Sequence, residues 1–179
     1  MKKLILCALF NVLILFTPIL SHAQTTNSIW SGLAVPATSS ASDSSTIELG
    51  VKFQSDVAGQ ITGIRFYKGS ANTGTHTGKL WSLSGQLLNS LTFAGESSSG
   101  WQQANFAAPI SIAANTVYIA SYHTNVGRYA FNNNYFASQG VDNPPLHALR
   151  NGVNGGNGVY QYGASAFPNQ GTVAKSRMI

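Results

Sequence analysis

The stretch "IELGVKF", Ile47 to Phe53, decides the fold. Ile, Leu, Val and Phe occupy its odd-numbered positions, and Glu, Gly and Lys occupy the even-numbered ones. Successive side chains of a β-strand point to opposite faces, so strict alternation is typical of a strand with one face against a core. We therefore predict a half-buried strand here, with Glu48 on its outer face.

Further along the chain, other short segments have the same character, and each is bounded by Gly, Asn, Ser or Pro. No segment before residue 140 keeps apolar residues at helical spacing over three turns, so helix is nearly absent. Short strands with frequent turn signals predict an all-β fold, an antiparallel β-sandwich of the jelly-roll or immunoglobulin-like type. The predicted strands lie within residues 59–69, 78–85, 87–95, 100–114, 116–123, 128–132 and 158–163.

One short helix is expected near residues 144–151, in "DNPPLHALRNG". Asn143 can cap it, Pro144 suits its first position, and Gly152 can take the left-handed conformation that ends a helix. His147 and Arg150 would then lie toward its C-terminal end, where a positive charge interacts favourably with the helix dipole.

The N-terminus predicts export. Lys2 and Lys3 precede the apolar run "LILCALFNVLILFTPIL", and "SHA" places small residues where a signal peptidase cleaves. Residues 1–23 are therefore expected to be a signal peptide, and the protein to be secreted, extracellular or periplasmic, with no membrane contact after cleavage. An uncleaved anchor is the alternative, because the run is nearly long enough to span a bilayer of roughly 30 Å. Cys7 lies too early to carry a lipid.

Cleavage would leave one domain with no cysteine and few charges. Residues 24–46 are poor in large apolar side chains, so we expect a flexible arm with one short strand near Trp30, followed by a single domain over 47–179. Without Lys2 and Lys3, eight of the ten basic residues remain against five acidic ones. These basic residues are scattered, which argues against a nucleic-acid partner.

Several motifs together carry a family resemblance. They are "ELGVKFQSDVAGQITGIRFYKG", "NTGTHTGKLWS", "SGWQQ", "YIASYH", "GVDNPPLHAL" and "GGNGVYQYG", in this order between about Trp30 and Phe167. The chain resembles the bacterial family called domain of unknown function 4082, which is known from exported and cell-surface proteins and is often found beside other extracellular modules. The resemblance implies a β-sandwich and an extracellular setting, and no catalytic residues.

The resemblance fails at the C-terminal end. Similar members continue into a last strand of the type Asn-Tyr-Trp-Val-Asp-Val-Val-Phe, whereas this chain reads "NQGTVAKSRMI". The resemblance thus implies a domain lacking its final strand. If that strand pairs with "IELGVKF", its loss exposes an edge, and the chain is marginally stable or completes its sheet with another chain.

Catalysis is not expected. A hydrolase needs paired carboxylates or a nucleophile beside a base, and each of the five acids has a structural explanation in the arm, on a strand face or in a turn. We therefore predict no enzyme and no cofactor. The acids are Asp43, Glu48, Asp56, Glu96 and Asp142.

The predicted exported part of the chain contains three histidines, which are candidate metal ligands. His76, His123 and His147 are too far apart in sequence to form a short metal-binding motif, so a bound metal remains an open question. His76 lies between two predicted strands, where it is either a loop-tip residue ordered by threonine hydroxyls or a ligand contact.

The last third of the chain interleaves aromatic residues with asparagines. Sugars present an apolar C–H face and a rim of hydroxyls, which aromatic rings beside amide groups can bind; packing against the sheet is the alternative. The candidate ligand-binding residues are His76, Tyr122, His123, Arg128, Tyr129, Tyr135 and Tyr160.

These observations predict an exported, non-catalytic binding or adhesion module, with a polysaccharide or glycan as the expected partner. The alternatives are a structural spacer that packs against other extracellular domains and, third, a hydrolytic enzyme. A planar exposed row of aromatic side chains would favour the glycan, and complete burial would favour the spacer.

Overall fold

A computed structural model describes residues 25–172 and 175–176 of the chain. This part is all-β and antiparallel, as predicted, and contains no helix. The strands are β1 (Ile47–Ser55), β2 (Gly59–Lys68), β3 (Thr77–Ser82), β4 (Leu87–Thr92), β5 (Gly100–Ile112), β6 (Tyr118–Thr124), β7 (Asn132–Asn133), β8 (Val141–Asn143), β9 (Leu146–Ala148), β10 (Gly158–Tyr162), β11 (Gln170–Thr172) and β12 (Lys175–Ser176).

One large sheet has eight strands, and β1 lies at its centre. Along one edge β1 pairs with β6, and along the other it pairs first with β10 and then with β9. The sheet continues from β6 to β3 and β4, from β10 to β11, and from β9 to β8. The stretch from Ile47 to Phe53 is therefore hydrogen-bonded along both sides.

A second layer consists of β2 and β5, which pair over their length with an irregularity between Ile61 and Gly63. Its inner face packs on the large sheet: the ring of Phe66 on β2 stacks on Tyr122 of β6, with centroids 4.2 Å apart. The odd-numbered residues of β1 from Ile47 to Phe53 lie in the same core and are at most 3% exposed. The predicted inward face of β1 is thus confirmed.

The outer face of the large sheet is also covered in part. Trp81, Ile119 and Val159 form a small second cluster, against which Phe167 packs. As a result Glu48, which was expected on an outer, solvent-facing surface, is fully buried.

The helix predicted near 144–151 is wrong, because "DNPPLHA" forms the β8–β9 hairpin and β9 pairs with the end of β1. A residue that precedes proline is pushed out of the helical region, and here both Asn143 and Pro144 precede one. The two prolines also lack backbone N–H groups. The chain turns at this pair, and His147 lies on a strand.

The segment expected as an arm packs against the domain. Trp30 is 4% exposed and Ala41 is 5% exposed, and Thr38 forms an isolated antiparallel bridge with Phe131. Leu33 and Val35, in contrast, are 92% and 67% exposed.

At the C-terminal end, β11 pairs with β10, and β12 pairs with β7. A free edge along "IELGVKF" was expected if the missing strand pairs there, but β1 has partners on both sides. The predicted signal peptide, residues 1–23, lies outside the described residues. Within those residues, no helix is long and apolar enough to cross a membrane.

Candidate functional site

Two of the predicted site residues, His76 and Tyr122, lie inside the domain rather than at a loop tip. His76 is fully buried and Tyr122 is 1% exposed. Both rings pack against Phe66, with centroid distances of 4.8 Å for His76 and 4.2 Å for Tyr122. Because both side chains are buried, they offer no surface to a ligand.

His76 is held by two polar side chains. Its Nδ1 lies 2.8 Å from Glu96 Oε1, and its Nε2 lies 2.9 Å from Asn72 Oδ1. Burial lowers the pKa of His76, although the hydrogen bond and charge of Glu96 act in the opposite direction. Thr124 Oγ1 donates to the same Asn72 oxygen at 2.7 Å, so the Asn72 side chain links His76 to β6.

Glu96 joins this group to the end of β2. Lys68 Nζ lies 2.8 Å from Glu96 Oε2, and the side chains of both are only 10% exposed. The carboxylate therefore ties the β4–β5 loop to β2 and to the loop that carries His76. These charged contacts hold the two loops in fixed positions relative to β2.

His123 follows Tyr122 on β6 and so points to the opposite face of the large sheet. It is 8% exposed, and its Nε2 lies 3.2 Å from the carbonyl oxygen of Gly163. It adjoins a second buried network, in which Glu48 accepts from Ser121 Oγ at 2.6 Å and from Lys79 Nζ at 2.9 Å.

Arg128 and Tyr129 bind the N-terminal segment. Arg128 donates to the carbonyl oxygen of Ser42 at 3.0 Å, and the Tyr129 hydroxyl donates to Asp43 Oδ2 at 3.2 Å. Tyr162 donates to the same carboxylate oxygen at 2.7 Å. Burial raises the pKa of Asp43, but the hydrogen bonds from Tyr162, Ser45 and Tyr129 outweigh it, and the pKa lies below its usual value.

Tyr135 and Tyr160 are half-buried, and each packs against another aromatic ring. The hydroxyl of Tyr135 accepts from Trp30 Nε1 at 3.2 Å, and its ring meets Phe136 edge-on at 5.2 Å. The ring of Tyr160 packs edge-on against Tyr162 at 5.7 Å. Tyr129 is 1% exposed, whereas Tyr162 is 45% exposed.

The predicted site residues therefore fall in separate places, and they form no planar exposed row. The aromatic side chains of the last third serve mainly to pack the irregular segments onto the sheets.

Among the acids, Asp56 and Asp142 come closest to a pair. Each carboxylate lies 2.8 Å from a different nitrogen of His147, so they flank the ring on opposite sides and the imidazole fills the space between them. Hydrogen bonds to Asp142 and then to Asp56 raise the pKa of His147. Among the described residues, no group of three histidine, cysteine or acidic side chains could hold a metal ion.

A cleft with both apolar and polar walls lies beside β2. Its volume is about 440 Å³, within the range of sites that bind small ligands. Seven consecutive residues of β2, from Gly59 to Arg65, line one side of it. The other side is formed by Phe53, Ser55 and Val57, by Pro145 and Leu146, and by residues 25–29.

The cleft has an apolar depth and a polar rim. Phe53, Ile112 and Leu146 face it from between the two layers, whereas Gln103 and Asn105 lie at its outer side. Arg65, paired with Gln103 on the outer face of the small sheet, is the one charged side chain in this lining.

Arg65 is held in place without a carboxylate. Its Nη1 donates to Ser28 Oγ at 2.9 Å, and its guanidinium lies over the ring of Trp101, 4.7 Å from the centroid. Burial lowers its pKa, and an arginine keeps its charge even so.

Sequence reasoning did not find this cleft or the two buried ion-pair networks. Glu96 lies 20 residues from His76, and Lys79 lies 31 residues from Glu48, so no local motif links them. The cleft depends on how many strands each layer contains, and strand patterns along a chain do not reveal that number.

Comparison with known proteins supports the resemblance noted in the sequence. The family model described as domain of unknown function (DUF4082) matches residues 33–177. No curated protein matches the chain.

Proposed function

We propose that this chain, which belongs to the DUF4082 family, is an exported, non-catalytic binding module. The family is defined without an activity. The ligand would bind in the cleft beside β2. The observation that carries the proposal is the cleft itself. It combines an apolar depth, a polar rim and an edge of backbone at one place on the surface. Such a combination is typical of binding sites in which apolar contacts give affinity and a few polar groups give specificity.

The contacts of the five acidic side chains support a non-catalytic function. Glu48 and Glu96 are bound to lysines in the interior, Asp43 accepts from two tyrosines, and Asp56 and Asp142 hold His147. A carboxylate pair that cleaves a glycosidic bond needs open space for the sugar between its members.

Only the N-terminal sequence supports the export part of this proposal. The supporting features are Lys2, Lys3, the apolar run and the "SHA" ending. A bacterial setting outside the cytoplasm also fits a domain of residues 24–179 without cysteine, since it needs no redox protection.

A glycan remains a candidate ligand, now at the rim of the cleft rather than on the aromatic side chains. Gln60, Gln103 and Asn105 supply amides there, and Thr62 supplies a hydroxyl. These groups can both donate to and accept from sugar hydroxyls. The spacer alternative has support from the buried aromatics and from the exposed Leu33 and Val35, which offer apolar contacts to a neighbouring domain.

The test compares two lysine substitutions on edge strands. Ile61→Lys places a charge in the half-buried wall of the cleft, whereas Leu87→Lys does so on β4, at a position 46% exposed and away from the cleft. Wild type and both variants are applied to a glycan array, to insoluble polysaccharides and to a library of extended peptides, with folding checked by circular dichroism.

We expect at least one ligand that is lost by Ile61→Lys and kept by Leu87→Lys. Binding that survives Ile61→Lys would place the site elsewhere. If the folded wild type binds nothing in any of the three panels, the spacer function replaces the binding module.

A further inference from the structure

The edge of β2 that faces the cleft has no strand partner in the described chain. β2 pairs with β5 along one side from Gly59 to Lys68, and no strand within residues 25–172 or 175–176 pairs with its other side. An unpaired edge presents a row of N–H and C=O groups that can extend the sheet with another strand.

The lining of the cleft shows that it runs along this edge. Neighbouring side chains of a strand point to opposite faces, so a cavity on one face touches alternate residues. All seven residues from Gly59 to Arg65 line the cavity. Only a cavity that wraps around the edge of the strand, with part of its space on each face, meets a consecutive run of this length.

The two layers differ in width at this point. The large sheet has eight strands and the layer opposite has two. The cleft opens where the large sheet extends past β2, over Phe53 of β1 and Leu146 of β9. One further strand beside β2 would lie over these two side chains and close the gap between the layers, since neighbouring strands lie about 4.8 Å apart.

The walls set the chemistry of that strand. Its inward side chains would meet Phe53, Ile112 and Leu146, so they have to be apolar. Its outward side chains would lie beside those of β2 that point to the outer face, Arg65 among them, so they have to be polar. Arg65 makes no ion pair with any described acid, and an acidic side chain on the outward face would supply its partner.

We propose that the free edge of β2 binds an extended, amphipathic segment of another polypeptide as a third strand of the small layer, with apolar residues facing the cleft and an acidic residue facing Arg65. This inference rests on the proposed binding function and names the class of its ligand. A segment of about seven residues, roughly 23 Å long, spans the lined part of β2. Main-chain hydrogen bonds along the edge give affinity, and the cleft gives specificity.

The experiment measures amide hydrogen exchange in the purified protein with and without a synthetic peptide. The probe is acetyl-Thr-Val-Asp-Val-Thr-Val-Thr-amide, and its matched control carries proline in place of the central valine. Amides of residues 59–65 are the reporters, and those of β1, already paired on both sides, are the internal reference. The variants Ile61→Lys and Leu87→Lys are measured in parallel.

We expect the probe to slow exchange about tenfold or more at several amides of residues 59–65, with no change in β1. The proline peptide should have no effect, Ile61→Lys should abolish the protection, and Leu87→Lys should retain it. An Asp→Lys version of the probe should bind more weakly than the original, because it places a cation beside Arg65.

Three results would overturn the inference. Unchanged exchange at saturating probe would show that the edge does not accept a strand. Protection by a glycan and not by any peptide would retain the binding module and replace its ligand class. Protection that rises with protein concentration and needs no peptide would assign the edge to a second copy of this chain.

Discussion

Glu48 shows what alternation predicts at the scale of a residue and what it does not. The pattern of "IELGVKF" places the apolar side chains of β1 in the core correctly. It also places Glu48 on the other face, but it cannot say whether that face is solvated. Phe167 and Ser165, more than a hundred residues further on, help to cover it. The carboxylate is stabilised there by Lys79, Ser121 and Ser165.

We predict that Glu48→Ala lowers the free energy of unfolding by about 3 kcal/mol or more. Removal of one member of a buried ion pair leaves the other charge uncompensated, which costs roughly 3–5 kcal/mol. Here the Lys79 side chain, 11% exposed, would be left without its carboxylate. Urea denaturation followed by tryptophan fluorescence measures the change. Asp142→Ala, at an acid whose side chain is 74% exposed, is the control, and a loss as large as that of Glu48→Ala in this control would contradict the explanation.

The second prediction at this scale concerns pH and His147. The pKa of this histidine is raised in the folded state, first by the hydrogen bond to Asp142 and then by that to Asp56. A raised pKa means that the stabilisation is complete below the unfolded value, about 6.5, and is lost as the pH rises through the folded value.

The difference in unfolding free energy between wild type and His147→Gln should therefore be larger at pH 5.5 than at pH 8.5. We expect a difference within about 1 kcal/mol, because exposed ion pairs contribute roughly 0.2–1 kcal/mol. Thermal unfolding of both proteins at the two pH values provides the measurement. Equal differences at both values would mean that the imidazolium does not stabilise the hairpin.

At the scale of elements, the long strands follow from the sequence and the loops do not. β1, β2, β5 and β6 lie where alternation and turn residues indicate them. The β8–β9 hairpin does not follow from the sequence, because the residues around Asn143 and Pro144 match a helix-capping pattern. The pairing partner that β1 provides for a strand there cannot be read from the sequence. His76 was assigned to a loop tip for a related reason, since its burial depends on Phe66 and Tyr122 from other strands.

The two glycines of β2 supply a matched test of packing. A Cβ at Gly63 would overlap the carbonyl oxygen of Ala104 and lie 2.8 Å from Asn105 Oδ1, whereas a Cβ at Gly59 would meet nothing within 4 Å. We predict that Gly63→Ala lowers the free energy of unfolding by about 1–3 kcal/mol, the typical cost of overpacking.

Gly59→Ala should change stability by at most about 0.5 kcal/mol, as most unconstrained surface substitutions do. Chemical denaturation of the two variants side by side gives both values. Equal changes in unfolding free energy for the two variants would contradict the predicted overlap at the β2–β5 irregularity.

At the scale of the whole molecule, residues 25–46 are part of the domain. Trp30 lies between layers: its ring packs against Trp101 of the small layer at 6.4 Å and against Phe136 at the same centroid distance. This segment contains few large apolar residues, but the buried ring of Trp30 attaches it to the domain. Composition alone cannot show that, since it counts side chains and not their contacts.

Trp30→Ala should cost about 3–5 kcal/mol, the usual effect of truncating a buried aromatic side chain. Leu33→Ala, three residues away and 92% exposed, should leave stability within about 0.5 kcal/mol. Differential scanning calorimetry of the two variants distinguishes a docked segment from a loose one. Comparable melting temperatures for wild type and Trp30→Ala would mean that the segment contributes little to the fold.

The central position of β1 also has a mechanical consequence. The chain enters β1 directly from residues 25–46, and β1 is hydrogen-bonded lengthwise to β6 on one side and to β10 and β9 on the other. A pulling force transmitted along that segment would load these bonds together in shear, rather than opening them one after another from an end. A domain pulled by its N-terminal side would then resist extension until the whole strand slides out.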